Sequence, residues 1–182
     1  MRHSRANGRE VSTEMPANDT TNRPGVAGEI ILHGRKVVGG KSEGEALVTK
    51  ETISGWGGID PQTGTVIEMR HELRGKSFKD KILVFPGAKG SSGWSGFFHR
   101  ARLAGAAPKG MIFNRMTTKI ALGAVVTHAP AVTDLDHDPL TVIETGDWVE
   151  IDADAGIVKV TKRAQRNAAA SEPAAATSRT RN

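Results

Sequence analysis

The segment Lys81–Gly105, KILVFPGAKGSSGWSGFFHRARLAG, constrains the fold more than any other part of the chain. It reads as an apolar strand over Lys81–Phe85, ended by Pro86, then a glycine-rich turn, two serines and an amphipathic helix over about Ser92–Leu103. Phe97, Phe98, Ala101 and Leu103–Ala104 fall on or near one helical face, and His99, Arg100 and Arg102 on the other. Gly105 suits a helix C-terminus. Gly110–Asn114 is again an apolar strand. A strand, a helix and a second strand in this order make a crossover unit, which a purely hairpin-built sheet cannot contain.

Outside this unit the pattern is mostly short strands. Glu29–His33, Val37–Val38, Gly44–Lys50 and Thr65–Met69 are strand candidates, separated by the long loop SGWGGIDPQTG over Ser54–Gly64. Thr117–Leu122 reads as a short helix, and Val125–Val126 and Ala131–Val132 as strands around His128-Ala129-Pro130. A final hairpin pairs Trp148–Ile151 with Gly156–Thr161 across the turn Asp152–Ala155. One crossover unit among hairpins predicts a β-rich α/β fold, a sandwich-like core with helices on one side rather than a doubly wound sheet. Residues 1–27 and 163–182 lack a hydrophobic period and are expected to be disordered tails flanking a domain over 28–162.

Composition narrows the function. With three Trp, five Phe and no Tyr, the core is expected to be aliphatic. With no Cys, the chain has no disulfide, no thiolate metal ligand and no cysteine nucleophile. The net charge of +5 suggests nucleic acid, but residues 29–161 hold 16 basic and 16 acidic side chains, so the excess lies in the tails. A nucleic-acid partner, which needs a basic face on the folded part, is not expected. No apolar run approaches the ~20 residues of a membrane span, and no signal-peptide core is present, so no membrane is expected and a cytoplasmic location is.

Ser91 is the sharpest candidate for chemistry. A glycine-rich turn entering a helix offers unpaired N–H groups that favour an anion, and a hydroxyl there can move a proton. The alternative is purely structural, a helix N-cap, a role for which Ser92 competes. Lys89 can hold an anionic group or stabilise an alkoxide, or be a solvated loop lysine. GAKGSS lacks the spacing of a phosphate-binding GxxxxGK[ST] loop, which excludes nucleotide hydrolysis on that motif. Asp60 in GGIDP either orders a ligand or caps its turn, and Trp56 either lines a surface or joins the core. His128, Asp134, Asp136, His137 and Asp138 read more simply as an exposed acidic loop than as a metal site.

Four blocks together, GGIDPQTGTVIE (Gly57–Glu68), GKSFKDKILVFPGAKGSS (Gly75–Ser92), GAAPKGMIFN (Gly105–Asn114) and IALGAVVTHAPAVTD (Ile120–Asp134), resemble the small subunit of aconitase X proteins. That group includes phosphomevalonate dehydratase small subunits and the swivel part of cis-3-hydroxyproline dehydratases. The resemblance implies a swiveling β/β/α domain, like the mobile domain of aconitase. It implies a large catalytic subunit as partner, which carries an iron–sulfur cluster, and a small hydroxy acid as substrate. It implies a hydro-lyase that is inactive without that partner. The family's catalytic serine lies in the KGS segment and maps onto Ser91, the base that removes a proton next to the leaving hydroxyl. Lys89, Gly90 and Ser92 are the substrate-binding positions that go with it, and this chain itself binds no cofactor or metal. Trp94, just past the serine, is bulkier than the family's small residues and is expected to reshape the pocket. A competing reading is a phosphohistidine-type swiveling carrier using His128.

Overall fold

The structure, a computed structural model, describes residues 28–91 and 93–171. In chain order the elements are β1 (Glu29–His33), β2 (Arg35–Val38), β3 (Lys41–Val48), β4 (Ile53–Ser54), β5 (Ile59–Asp60), β6 (Thr65–Val66), β7 (Ile82–Phe85) and β8 (Ala88–Lys89). They continue with α1 (Trp94–Leu103), β9 (Gly110–Phe113), α2 (Thr118–Thr127), β10 (Ala131–Thr133), α3 (Pro139–Val142), β11 (Trp148–Asp152), β12 (Ile157–Thr161) and α4 (Arg163–Ser171).

Eight strands run in the order β1-β12-β11-β3-β7-β9-β10-β2. Two chain segments belong to both halves of this sheet. In β3, Lys41–Glu45 pairs antiparallel with β11, and Ala46–Val48 pairs parallel with β7. At the outer edges, β1 pairs with β12 and β2 with β10, yet β1 and β2 are separated only by Gly34. The sheet therefore folds over itself at two continuous strands, an antiparallel half facing a mixed half.

The period-2 alternation of the parallel strands separates two cores. Ile82 and Val84 of β7, Ile112 of β9 and Val132 of β10 face the antiparallel half, where they meet Leu32, Val149, Ile151, Val158 and Val160. Leu83 and Phe85, Met111 and Phe113, and Ala131 face the helices, where they meet Trp94, Phe98, Ala101, Ile120 and Ala124. Both faces are covered, which explains why β7 and β9 are buried at every position. The result is a β/β/α sandwich, as expected. The aliphatic core expected from composition is found only between the sheet halves. The helix-facing core collects Phe78, Phe85, Trp94, Phe98 and Phe113, with Trp94 stacked on Phe98 at 4.0 Å between ring centroids. Wide rings fill the broader gap between helix and sheet.

Two sequence expectations are corrected. Val125–Val126 is not a strand but the last turn of α2. Thr117 caps that helix by accepting from the Ile120 N–H, Thr127 Oγ1 donates back to the Gly123 carbonyl at 2.7 Å, and His128 ends it in the left-handed region at φ 56°. β-branched residues favour strands, but the Gly123–Ala124 face packing on α1 overrides that preference. The residues from 163 onward were expected to form a tail, yet Arg163–Ser171 is a helix whose start is held by the buried Asp147. The other expected tail residues, 1–27 and 172–182, lie outside the described residues.

Candidate functional site

Four parallel strands, β3, β7, β9 and β10, lie side by side, and the loops after their carboxyl ends gather at one edge of the sheet. Ligands of such sheets are held at that edge. Ser91 lies there, in the loop between β7 and α1. The loop is tied down at several points. Ile53 N–H donates to the Gly87 carbonyl at 3.1 Å, and β4 lies parallel to β8 so that Ser54 sits opposite Lys89. Arg115 N–H donates to the Pro86 carbonyl at 3.0 Å, and the Trp94 indole N–H donates to the Ile53 carbonyl at 3.0 Å. Gly90 has φ +87°, a conformation that L side chains rarely adopt, so the glycine is required where it stands.

Ser91 is exposed. Its Oγ accepts a long hydrogen bond of 3.3 Å from the Gly93 N–H, and among the described residues nothing accepts its proton. The N-cap of α1 is Gly93, with no side-chain cap. Gly93 is itself helical at φ −63° and ψ −10°, and Trp94 N–H donates to the Ser91 carbonyl at 3.3 Å, so Ser91 receives two N–H groups at the entry to α1 as the structural alternative requires, while its hydroxyl proton has no acceptor among the described residues. Ser92 lies outside the described residues.

Lys89 does not reach toward the serine unopposed: its ammonium is paired with Glu68 Oε1. The other carboxylate oxygen, Glu68 Oε2, is buried without a partner. Glu68 comes from the segment after β6, held to the GWGG loop by the Glu68 N–H to Gly58 carbonyl bond of 3.2 Å. Sequence reasoning assigned it no role at the site. Lys119 was missed as well. From the first turn of α2 its Nζ donates to the Gly90 carbonyl at 2.6 Å. It also lines a cavity of about 350 Å³ with Thr117, Thr118 and Leu122. The only signal for either residue was the polarity of a single side chain, which says nothing about proximity to a loop some 20–30 residues away in sequence.

The remaining candidates have structural duties. Trp94 is 1% exposed, inside the helix-facing core, so it does not reshape a pocket as expected. Trp56 is 77% exposed beside the same edge, in T-shaped contact with Phe97. Asp60 caps its turn, accepting from Gln62 N–H at 3.0 Å and Thr63 Oγ1 at 2.7 Å. The Thr63 hydroxyl and Gln62 N–H hold the Asp60 carboxyl below its ordinary value. Asp134 pairs with Arg35, Asp136 accepts from His33 N–H, and Asp138 caps α3. No group of three His, Asp or Glu among the described residues could hold a metal. His128 closes the far end of α2, a helix of ten residues, which places it at the opposite edge of the sheet from Ser91. Among the described residues no helix is long and apolar enough to cross a membrane.

The sequence model of the aconitase X swivel domain matches residues 31–160, the whole of both sheet halves but for two residues of β1 and one of β12. The chain belongs to the aconitase X swivel-domain family. It is 41% identical over 129 residues to the phosphomevalonate dehydratase small subunit of Methanocella arvoryzae, covering 71% of this chain and 98% of the relative. It is 43% identical to the protein of the same name from Thermococcus gammatolerans, covering 71% of this chain and 96% of the relative. The crystal structure of Thermococcus kodakaraensis aconitase X in its holo-form superposes with a TM-score of 0.69 at 39% identity, over 73% of this chain and 99% of that one. A protein named UPF0107, solved in solution by NMR, superposes at 0.67 with 42% identity, over 73% of this chain and 100% of that one. The aconitase X swivel fold is thus the β/β/α sandwich described above.

Proposed function

We propose that this chain is the small subunit of an aconitase-X-type hydro-lyase that dehydrates a small hydroxy acid, and that Ser91 is its base. The observation that carries the reading is the Ser91 hydroxyl, exposed on a tethered loop with an N–H donor and, among the described residues, no acceptor for its proton. The names of the relatives as dehydratase small subunits support a partner subunit and this reaction class.

In this reading Ser91 Oγ takes the proton from the carbon next to the one bearing the hydroxyl. The electron pair of that C–H bond becomes the new double bond as the C–O bond breaks, and the hydroxyl leaves on the partner's side. A serine hydroxyl is a poor base at its free pKa, so the step needs donors and cations that favour the alkoxide. The Gly93 N–H is one donor. Lys89, Gly90 and Ser92 bind the substrate, with Lys89 exchanging Glu68 for an anionic group of the ligand. Ser91 stands on an open rim, half of a pocket, and the partner supplies the other half. The chain has no Cys, so its residues do not fit an iron–sulfur cluster held by thiolates, and any such cluster belongs to the large subunit. The chain alone is inactive.

The test is co-expression with the large subunit and assay of the purified complex on phosphomevalonate, the substrate named for the relatives, alongside other hydroxy acids. Ser91→Ala is expected to lower kcat at least ~10²-fold with the complex intact. Loss of an ordinary cap would cost about 0.5–2 kcal/mol of stability and leave turnover alone. A variant with near-normal turnover removes Ser91 from the chemistry, and failure to bind any large subunit removes the two-subunit reading.

A further inference from the structure

We infer that Lys119 is a positioning residue for Ser91, an inference that rests on the reading of Ser91 as base. The charged groups set around the loop are Lys89 and Glu68, which pair with each other, Arg115 after β9, and Lys119. Lys119 differs from Lys89 in having no carboxylate partner among the described residues; its one hydrogen bond goes to the Gly90 carbonyl at 2.6 Å. That carbonyl belongs to the peptide group that also supplies the Ser91 nitrogen, so the contact sets the orientation of the peptide from which the serine projects. This peptide is oriented by the ψ torsion of Gly90, which no Cβ restrains, and an ammonium on one face selects one orientation.

Helix stability does not explain the residue. A cation in the first turn of α2 opposes the helix dipole, and no acidic residue in that turn offsets it. The position makes sense if the uncompensated charge acts on the loop. It fixes the peptide and leaves a positive field beside the hydroxyl that must become an alkoxide. Lys119 does this without touching the reacting atoms.

Two measurements on full-length protein test the inference, with Lys119→Met and Lys119→Arg compared to wild type. In the chain alone, amide hydrogen exchange at Gly93 and Trp94, whose N–H groups donate to Ser91 Oγ and to the Ser91 carbonyl, reports loop order. Lys119→Met is expected to speed that exchange about tenfold while Lys119→Arg restores it, with the melting temperature unchanged because the loop is on the surface. In the complex with the large subunit, assayed on phosphomevalonate, Lys119→Met is expected to lower kcat about tenfold. It should also move the rising limb of the kcat–pH profile upward by about one unit, with KM little changed. A merely structural contact would scale kcat at every pH and leave the limb in place. Exchange unchanged in Lys119→Met overturns the inference, as does a limb that stays put. Ser91→Ala measured in parallel separates the two readings. An active Ser91→Ala complex sinks the base, whereas an inactive one beside a normal Lys119→Met complex sinks the Lys119 inference alone.

Discussion

At Gly123 a single missing methyl group decides how closely α2 approaches α1. A Cβ built there would lie 2.2 Å from Trp94 Cζ3, a ring that is 1% exposed and stacked between Phe85 and Phe98. The ring cannot swing aside, because its indole N–H is bonded to the Ile53 carbonyl. Alanine is favoured over glycine in a helix by about 1 kcal/mol, and overpacking a rigid core costs about 1–3 kcal/mol, so the clash should win. Gly123→Ala is expected to destabilise the fold by up to about 2 kcal/mol in urea unfolding; a stabilised variant would mean that the two helices separate freely. At this scale the sequence was half legible. Ser91 stood out because its surroundings, PGAKGSSG, are contiguous. Trp94 was placed in a pocket because a bulky residue beside a serine carries no mark of which way it turns. Lys119 and Glu68 carried no mark at all, since their importance is a distance to a carbonyl and to an ammonium.

Among the elements, the β11–β12 hairpin was read almost to the residue, because its alternation and its turn chemistry agree. α2 reads from sequence as a short helix followed by a strand, because two valines argue for a strand and only packing argues for a helix. α4 was not expected, because the signal for its start is Asp147, in a different element. That carboxylate is 2% exposed and accepts from the Glu144 N–H at 2.9 Å, the Arg163 N–H at 3.0 Å and Lys162 Nζ at 2.9 Å. Burial pushes its pKa up, but these three donors outweigh burial and hold it below the ordinary carboxylate value of 3.8. A carboxylate depressed in the folded state adds stability at pH values above its unfolded value. That stability drains away as pH falls through the folded one. Asp147→Asn is therefore expected to cost about 1–3 kcal/mol near neutrality and to flatten the loss of stability as the pH falls below the ordinary carboxylate range. Urea midpoints measured through that fall check it, and an unchanged acid limb would show that Asp147 is not the group being titrated.

Across the whole molecule, the closure of the sheet depends on the segment Glu29–Val38, which pairs with β12 at one end and β10 at the other. Its pivot is Gly34, whose N–H donates to the Gly156 carbonyl at 2.8 Å and whose missing Cβ would lie 2.8 Å from the Thr133 carbonyl. A backbone atom cannot yield as a side chain can. Gly34→Val is expected to destabilise both halves together by about 1–3 kcal/mol, seen as one cooperative transition shifted to lower urea. Two separated transitions would show that the halves fold independently. The sequence by itself determined the strand and turn pattern, the crossover unit, the absence of thiolate chemistry and the family, because each is written in neighbouring residues or in contiguous blocks. Tertiary structure alone decided which lysine pairs with Glu68 and which holds the Gly90 carbonyl, where the aromatic rings collect, and that Ser91 is exposed on an open edge. Those are distances between elements, and they are set by how two cores pack on the opposite faces of β7 and β9, which no local pattern encodes.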